Sequence, residues 1–213
     1  MLSDDTLAGL ADLIKTWGRE LGFQQFGITD TQLGDHEAHL NAWLDKGYHG
    51  EMGFMAKHGT KRTRPEELVP GTLRVISVRL DYLPPEVETT QVLSQPERAY
   101  VSRYALGRDY HKLMRKRLAN LAKQIEKEVG KFGYRAFVDS APVMERALAQ
   151  KAGIGWFGKN AMLMNQQAGC LFFLGELYTD LPLPVDAPFE KELCGSCNAC
   201  KVACPTDAFV EDK

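Results

Sequence analysis

Four of the five cysteines fall in one run, Cys194-x2-Cys197-x2-Cys200-x3-Cys204-Pro205. That is the spacing of the bacterial ferredoxin run. There the first three thiolates take three corners of one [4Fe–4S] cubane, and the fourth, followed by proline, ligates a second cluster. Zinc is the alternative, but structural zinc sites use two ligand pairs separated by a loop, or mix cysteine with histidine. Here three cysteines follow at successive x2 gaps with no histidine near them. A disulfide framework suits chains too small to bury a core, which 213 residues are not. The fifth cysteine, Cys170, lies in the apolar run Cys170-Leu171-Phe172-Phe173-Leu174 and reads as a buried small hydrophobe. Only nine residues follow Cys204, none of them cysteine, so the chain is expected to stop before its iron–sulfur region is complete.

Composition narrows the remainder. The 26 basic and 28 acidic residues nearly cancel, so net charge nominates no partner. No apolar run approaches the roughly 18 residues that span a bilayer. Met1-Leu2-Ser3-Asp4-Asp5 lacks the basic and apolar regions of a signal peptide. With thiolates meant for a cluster, this predicts a reducing, cytoplasmic setting and no membrane. The length suits one substantial domain, residues 1–184, and a small cysteine segment, residues 185–213, joined through Leu181-Pro182-Leu183-Pro184.

Apolar periodicity predicts an α+β chain with little strict βαβ alternation. Leu7, Leu10, Ile14, Trp17 and Leu21 mark a first helix ended by Gly22, followed by a strand over Phe23 to Ile28. A helix is expected over Glu37 to Leu44. Val75 to Leu80 is a β-branched strand, and Pro84 to Pro96 reads as a loop. Met114, Leu118, Leu121, Ile125 and Val129 define a long helix from Tyr110. Tyr134 to Val138 is a short strand, and Pro142 suits the first turn of a helix reaching Lys151. Apolar runs over Ala161 to Met164 and Leu171 to Tyr178 are expected to pair as strands.

Several motifs invite chemistry. Gly153-Ile154-Gly155-Trp156-Phe157-Gly158 has dinucleotide-site spacing, but a helix is predicted before it and a strand after it, the reverse of what that site needs. Asp109-Tyr110-His111 begins like the motif that supplies a histidine to cobalamin cobalt; Met114 stands where its glycine belongs, so His111 reads as a first-turn residue of the long helix. From Arg103 to Arg135 ten basic residues face three acidic ones, either a solvated helix face or an electrostatic footprint for nucleic acid. In Phe137-Val138-Asp139-Ser140-Ala141-Pro142, Asp139 or Ser140 is placed to cap a helix or to offer an acid at a strand's end, and sequence mechanics favour the cap.

Taken together, Glu51-Met52, Arg62-x-Arg64-Pro65, the stretch from Tyr100 to Lys112, Phe137 to Pro142, Gly153-x-Gly155-Trp156-x-Gly158-Lys159 and the cysteine run resemble the epoxyqueuosine reductases along the whole chain. The resemblance implies a cobalamin-binding catalytic domain with a fold like flavin nitroreductases, followed by the start of a ferredoxin-like segment. It implies reduction of the epoxide of epoxyqueuosine in tRNA to queuosine, using base-off cobalamin and two [4Fe–4S] clusters, with an electron donor as partner and a monomeric enzyme. It makes Asp139 the proton donor, against the capping reading, and expects Asp139 to hold its proton through burial beside the corrin. Arg62, Ser102, Asp139, Leu163 and Leu174 fall at cobalamin-contacting positions, and Cys194, Cys197, Cys200 and Cys204 at cluster ligands. The alternatives are another cobalamin-dependent reductase and a ferredoxin-like electron-transfer module. A chain of this length by itself is expected to bind cobalamin weakly and not to complete turnover.

Overall fold

A computed structural model of the chain describes residues 3–83 and 89–209. Helix α1 (Asp4–Glu20) opens on Ser3, whose hydroxyl accepts a hydrogen bond from the Thr6 backbone N–H, and Asp4 and Asp5 occupy its positive end. Its buried face is Leu7, Leu10, Ala11 and Ile14. Helix α5 (Tyr110–Val129) buries Met114, Leu118, Leu121, Ala122 and Ile125 at the same three/four spacing. These two faces meet one side of a sheet.

The sheet has the order β1–β2–β6–β3 and is antiparallel throughout. Its strands are β1 (Gln25–Thr29), β2 (Arg74–Asp81), β3 (Tyr134–Phe137) and β6 (Phe172–Thr179). The central pair, β2 and β6, runs from Arg74 opposite Thr179 to Asp81 opposite Phe172. Side chains alternate across a strand. Thus Ile76, Val78, Phe173 and Leu177 point toward α1 and α5, and Val75 and Tyr178 toward the opposite face. Helix α6 (Glu145–Lys151) covers that second face with Ala147 and Leu148. Burial on both sides explains why β2 and β6 read as nearly continuous apolar runs.

Several expectations are corrected. The segments over Ala161–Met164 and Leu171–Tyr178 are strands in part but do not pair. β5 (Leu163–Met164) pairs with β4 (Trp156–Phe157), whereas β6 takes a central place in the main sheet. Within the expected loop from Pro84 to Pro96, residues 84–88 lie outside the described residues, and Thr89–Leu93 form helix α4. Pro142 does not begin a helix. The chain makes a tight turn in which Val143 N–H donates to the Ala141 carbonyl, and α6 starts at Glu145. Cys170 is half-buried rather than buried. The segment with Arg62 folds into short 3-10 turns over Gly53–Met55 and Gly59–Arg62, then helix α3 (Pro65–Leu68). The other two helices are α2 (His36–Asp45) and α7 (Ala199–Val202). A helix does precede the glycine-rich Gly153 loop and a strand follows it, the order expected from sequence.

The close seat of α6 on the sheet is set at Gly27, where a Cβ would stand 1.8 Å from the Ala152 carbonyl oxygen. Gly9, on the exposed side of α1, has nothing within 4 Å of its would-be Cβ. The same substitution is therefore expected to act in opposite directions. Gly27→Ala should destabilise by about 1–3 kcal/mol, and Gly9→Ala should stabilise by about 0.4–1 kcal/mol. Urea unfolding checks this, and midpoints moving the same way for both variants would contradict it.

Candidate active site

The turn between β3 and α6 carries Asp139 at φ 58°, the left-handed region. For a residue with a Cβ this costs about 1–2 kcal/mol. Hydrogen bonds offset that cost. The Asp139 N–H donates to Glu145 Oε1 at 2.7 Å. Asp139 Oδ2 accepts from the Tyr110 hydroxyl at 2.6 Å and lies 3.0 Å from His111 Nε2. The other ring nitrogen, His111 Nδ1, is 3.0 Å from Asp109 Oδ1, which also accepts the His111 backbone N–H as the cap of α5. His111 thus lies between two carboxylates, and both its nitrogens can donate only when the ring is protonated. The hydrogen bond from His111 holds the Asp109 carboxyl below the usual range.

Tyr110 is set by packing. Its ring stacks on Phe173 of β6 at 3.8 Å between centroids and on His111 at 4.0 Å. Burial, and then donation to Asp139, push its phenol well above its ordinary pKa, so it remains a donor. The Asp139 side chain is 58% exposed in the chain by itself. The capping expectation fails: α6 is preceded by Met144, with no side-chain cap.

Behind Asp139 lies a second carboxyl group pair. Glu176 projects from β6 beneath α6 with no solvent exposure, and among the described residues neither of its oxygens reaches a donor. Its cross-strand partner Ser77 is also wholly buried, with its hydroxyl unpartnered. Glu145 faces Glu176. Burial raises both carboxyls, and the negative charge of Asp139 adds to this at Glu145 while that of Glu145 adds to it at Glu176. With both ionised neither could donate to the other, so the pair keeps one proton.

The structure places the other candidate residues as follows. Arg62 is 8% exposed and donates to the carbonyls of Phe54 and Met55, fastening the two 3-10 turns. Ser102 begins a 3-10 turn over Arg103–Ala105. Neither shares a hydrogen bond with Asp139 among the described residues. Leu163 and Leu174 converge on one apolar cluster with Ile154 and Phe172. The four terminal cysteines follow one another through a turn and α7, and among the described residues no three metal-ligating side chains are gathered. Sequence reasoning missed Tyr110, Glu145 and Glu176 and gave His111 only a structural place. The available signal was Glu176 itself, one carboxylate inside an otherwise apolar strand.

A carboxyl whose folded-state pKa is raised contributes stability at low pH that is lost as pH climbs through the raised value. The neutral substitution Glu176→Gln should therefore match the parent chain near about pH 5 and exceed it by more than about 1 kcal/mol near about pH 9. Denaturant unfolding across that range checks it, and a constant difference at every pH contradicts it.

Comparison with known proteins follows this geometry. The family model described as "Epoxyqueuosine reductase QueG, DUF1730" matches residues 62–140. The epoxyqueuosine reductase of Pseudomonas aeruginosa is 65% identical over 209 residues, covering 98% of this chain and 58% of that protein. A crystal structure of epoxyqueuosine reductase with an epoxyqueuosine-modified tRNA-Tyr stem loop superposes with a TM-score of 0.82 at 28% identity, covering 95% of this chain and 53% of that one. The Bacillus subtilis enzyme, in a structure with its catalytic aspartate loop swung out of the active site, gives 0.81 at 27% identity and covers 95% of this chain and 53% of its own. A reductive dehalogenase at 17% identity and a TM-score of 0.52, matched over 90% of this chain and 22% of its own, shares the α+β fold alone. The chain spans about half the length of the curated relatives it matches. Over nearly its whole length it is similar to the epoxyqueuosine reductases.

Proposed function

We propose that this chain carries the catalytic part of an enzyme that reduces the epoxide of epoxyqueuosine in tRNA to queuosine, the last step of queuosine biosynthesis. The observation that carries the reading is Asp139, an exposed carboxyl on a strained turn, held by a tyrosine and a histidine. The relative bound to a modified stem loop, and the relative whose catalytic aspartate loop swings, support it.

Removing an epoxide oxygen as water breaks both its C–O bonds and consumes two electrons and two protons; the first bond to break leaves negative charge on oxygen, so a proton must be delivered at that atom. Asp139 is the donor in this reading. Tyr110 and His111 orient its carboxyl, and the Asp109–His111 pair offers a route for returning the proton. When bound, cobalamin and the [4Fe–4S] clusters would supply the two electrons, drawn from an external electron donor.

The residues present suit these groups. Arg62, Ser102, Leu163, Leu174 and Asp139 would line the cobalamin site. Beside Ser102, the Arg103 guanidinium keeps Nε and Nη2 shielded from water without a partner, and an amide- or phosphate-bearing cofactor seated there would satisfy them. Cys194, Cys197 and Cys200 would hold one cluster and Cys204 a second. Their thiols are the donors such clusters take. Hydrogen bonding from the Ala208 backbone N–H, at 3.4 Å, holds the Cys204 thiol below its ordinary pKa. Residues 1–184 then form the cobalamin domain, with a fold resembling flavin nitroreductases, and residues 185–213 a ferredoxin-like segment.

On α5, Lys112, Arg115, Lys116, Lys123 and Lys127 are exposed, whereas Arg117 turns back to the Gly22 carbonyl. The exposed row suits tRNA phosphates, which position a substrate without specifying it. No helix among the described residues is long and apolar enough to cross a membrane, and a cytoplasmic setting fits the thiols.

The test is anaerobic assay of the protein completed to the length of its curated relatives, reconstituted with [4Fe–4S] clusters and cobalamin and supplied with a low-potential reductant and tRNA carrying epoxyqueuosine. Queuosine should form, and Asp139→Asn should slow its formation by about 10²–10⁴-fold. Equal rates for Asp139→Asn would remove Asp139 from the chemistry. Cys200→Ser should lower the iron bound per chain; unchanged iron would remove Cys200 from the cluster.

A further inference from the structure

The carboxyl of Glu145 has two neighbours that pull its protonation in opposite directions. Glu176 of β6 is wholly enclosed and has no donor to lean on, so it is the member of the pair that keeps the shared proton. Glu145 stands at the first turn of α6 and accepts the Asp139 N–H. Arg146, next to it on α6, also favours its ionised form. Asp139 opposes that form through its own charge. Tyr110 of α5 and Tyr178 of β6, both within electrostatic reach of Glu145, are neutral phenols. A bond to an ionised acceptor is about twice as strong as a neutral one.

We infer that Glu145 is a positioning residue: its carboxylate latches the Asp139 backbone in the left-handed turn that presents the Asp139 carboxyl to Tyr110 and His111. Three elements meet at this latch: the strand that ends before Asp139, the helix that begins at Glu145 and the central strand that carries Glu176. Glu176, protonated, donates to Glu145 and leaves the other oxygen of Glu145 to the Asp139 N–H. The Ser140 N–H also donates to the Val138 carbonyl at 2.8 Å across Asp139; when the latch opens, that bond and the side-chain contacts to Tyr110 and His111 are left to hold φ 58°, and the Asp139 backbone is freer to reach negative φ. This deepens the reading of Asp139 as proton donor and rests on it for its place in turnover. Loop position and catalysis are nonetheless separable by measurement.

The experiment is amide hydrogen exchange on the 213-residue chain, read at the Asp139 amide and at β6 and corrected for intrinsic exchange at each pH. In the parent chain the protection of Asp139 should grow as pH rises and Glu145 ionises. Glu145→Gln, which keeps an oxygen acceptor of the same shape, should hold a lower, pH-independent protection. Glu145→Ala should exchange at Asp139 about three- to tenfold faster than the parent, with β6 unchanged. Identical pH dependence in the parent and Glu145→Gln would overturn the inference. So would loss of β6 protection in Glu145→Ala in step with Asp139, because that marks a general packing role. Asp139→Asn, which keeps its backbone N–H, should retain the latch while losing turnover, so a failed latch and a failed donor give different results.

Discussion

The rest of the structure depends on β6 being buried on both faces. One face, through Phe173 and Leu177, closes the core under α1 and α5, and the other meets α6. A strand in that position has no solvent side on which to place a charge, yet it carries Glu176. An ionised carboxylate there has neither water nor a donor, and its desolvation would cost several kcal/mol. Protonation together with Glu145 removes most of that cost. The sheet's central strand thereby fixes the protonation of the first turn of α6, and through it the turn that holds Asp139.

The same strand supplies the second constraint on Asp139. Phe173, on the opposite face from Glu176, stacks flat against Tyr110, and Tyr110 donates to the Asp139 carboxylate. Asp139 is therefore held through its backbone from one side of the sheet and through its side chain from the other. The turn needs both, because its backbone lies in a region that residues with a Cβ seldom occupy.

The helices were the most legible part of the sequence. The three/four spacing of α1 and α5 reports directly on which residues face the core, because that pattern is local. Strand partners were less legible. The runs around Leu163 and Phe172 are neighbours in the chain, which favours pairing them, but β6 gains more by entering the centre of the sheet, where both its faces are buried. Asp139 was visible as a candidate, but sequence mechanics favoured a cap and only the resemblance made it a donor. A short polar residue shortly before a proline looks like a cap, and only the turn around Ala141 moves the start of α6 to Glu145. Glu145 and His111 were illegible as partners because three separate elements bring them to one residue. The cysteine spacing, in contrast, is legible as a cluster-binding pattern without any fold at all.

Proton delivery by Asp139 is the central claim, and it is tested most directly by the solvent deuterium isotope effect on epoxide reduction, measured with cobalamin reduction kept fast enough not to limit the rate. Proton delivery in the limiting step should make the reaction slower in D2O, and that slowing should vanish in Asp139→Asn along with most of the activity. Equal rates in H2O and D2O, or a slowing that persists unchanged in Asp139→Asn, would contradict the account.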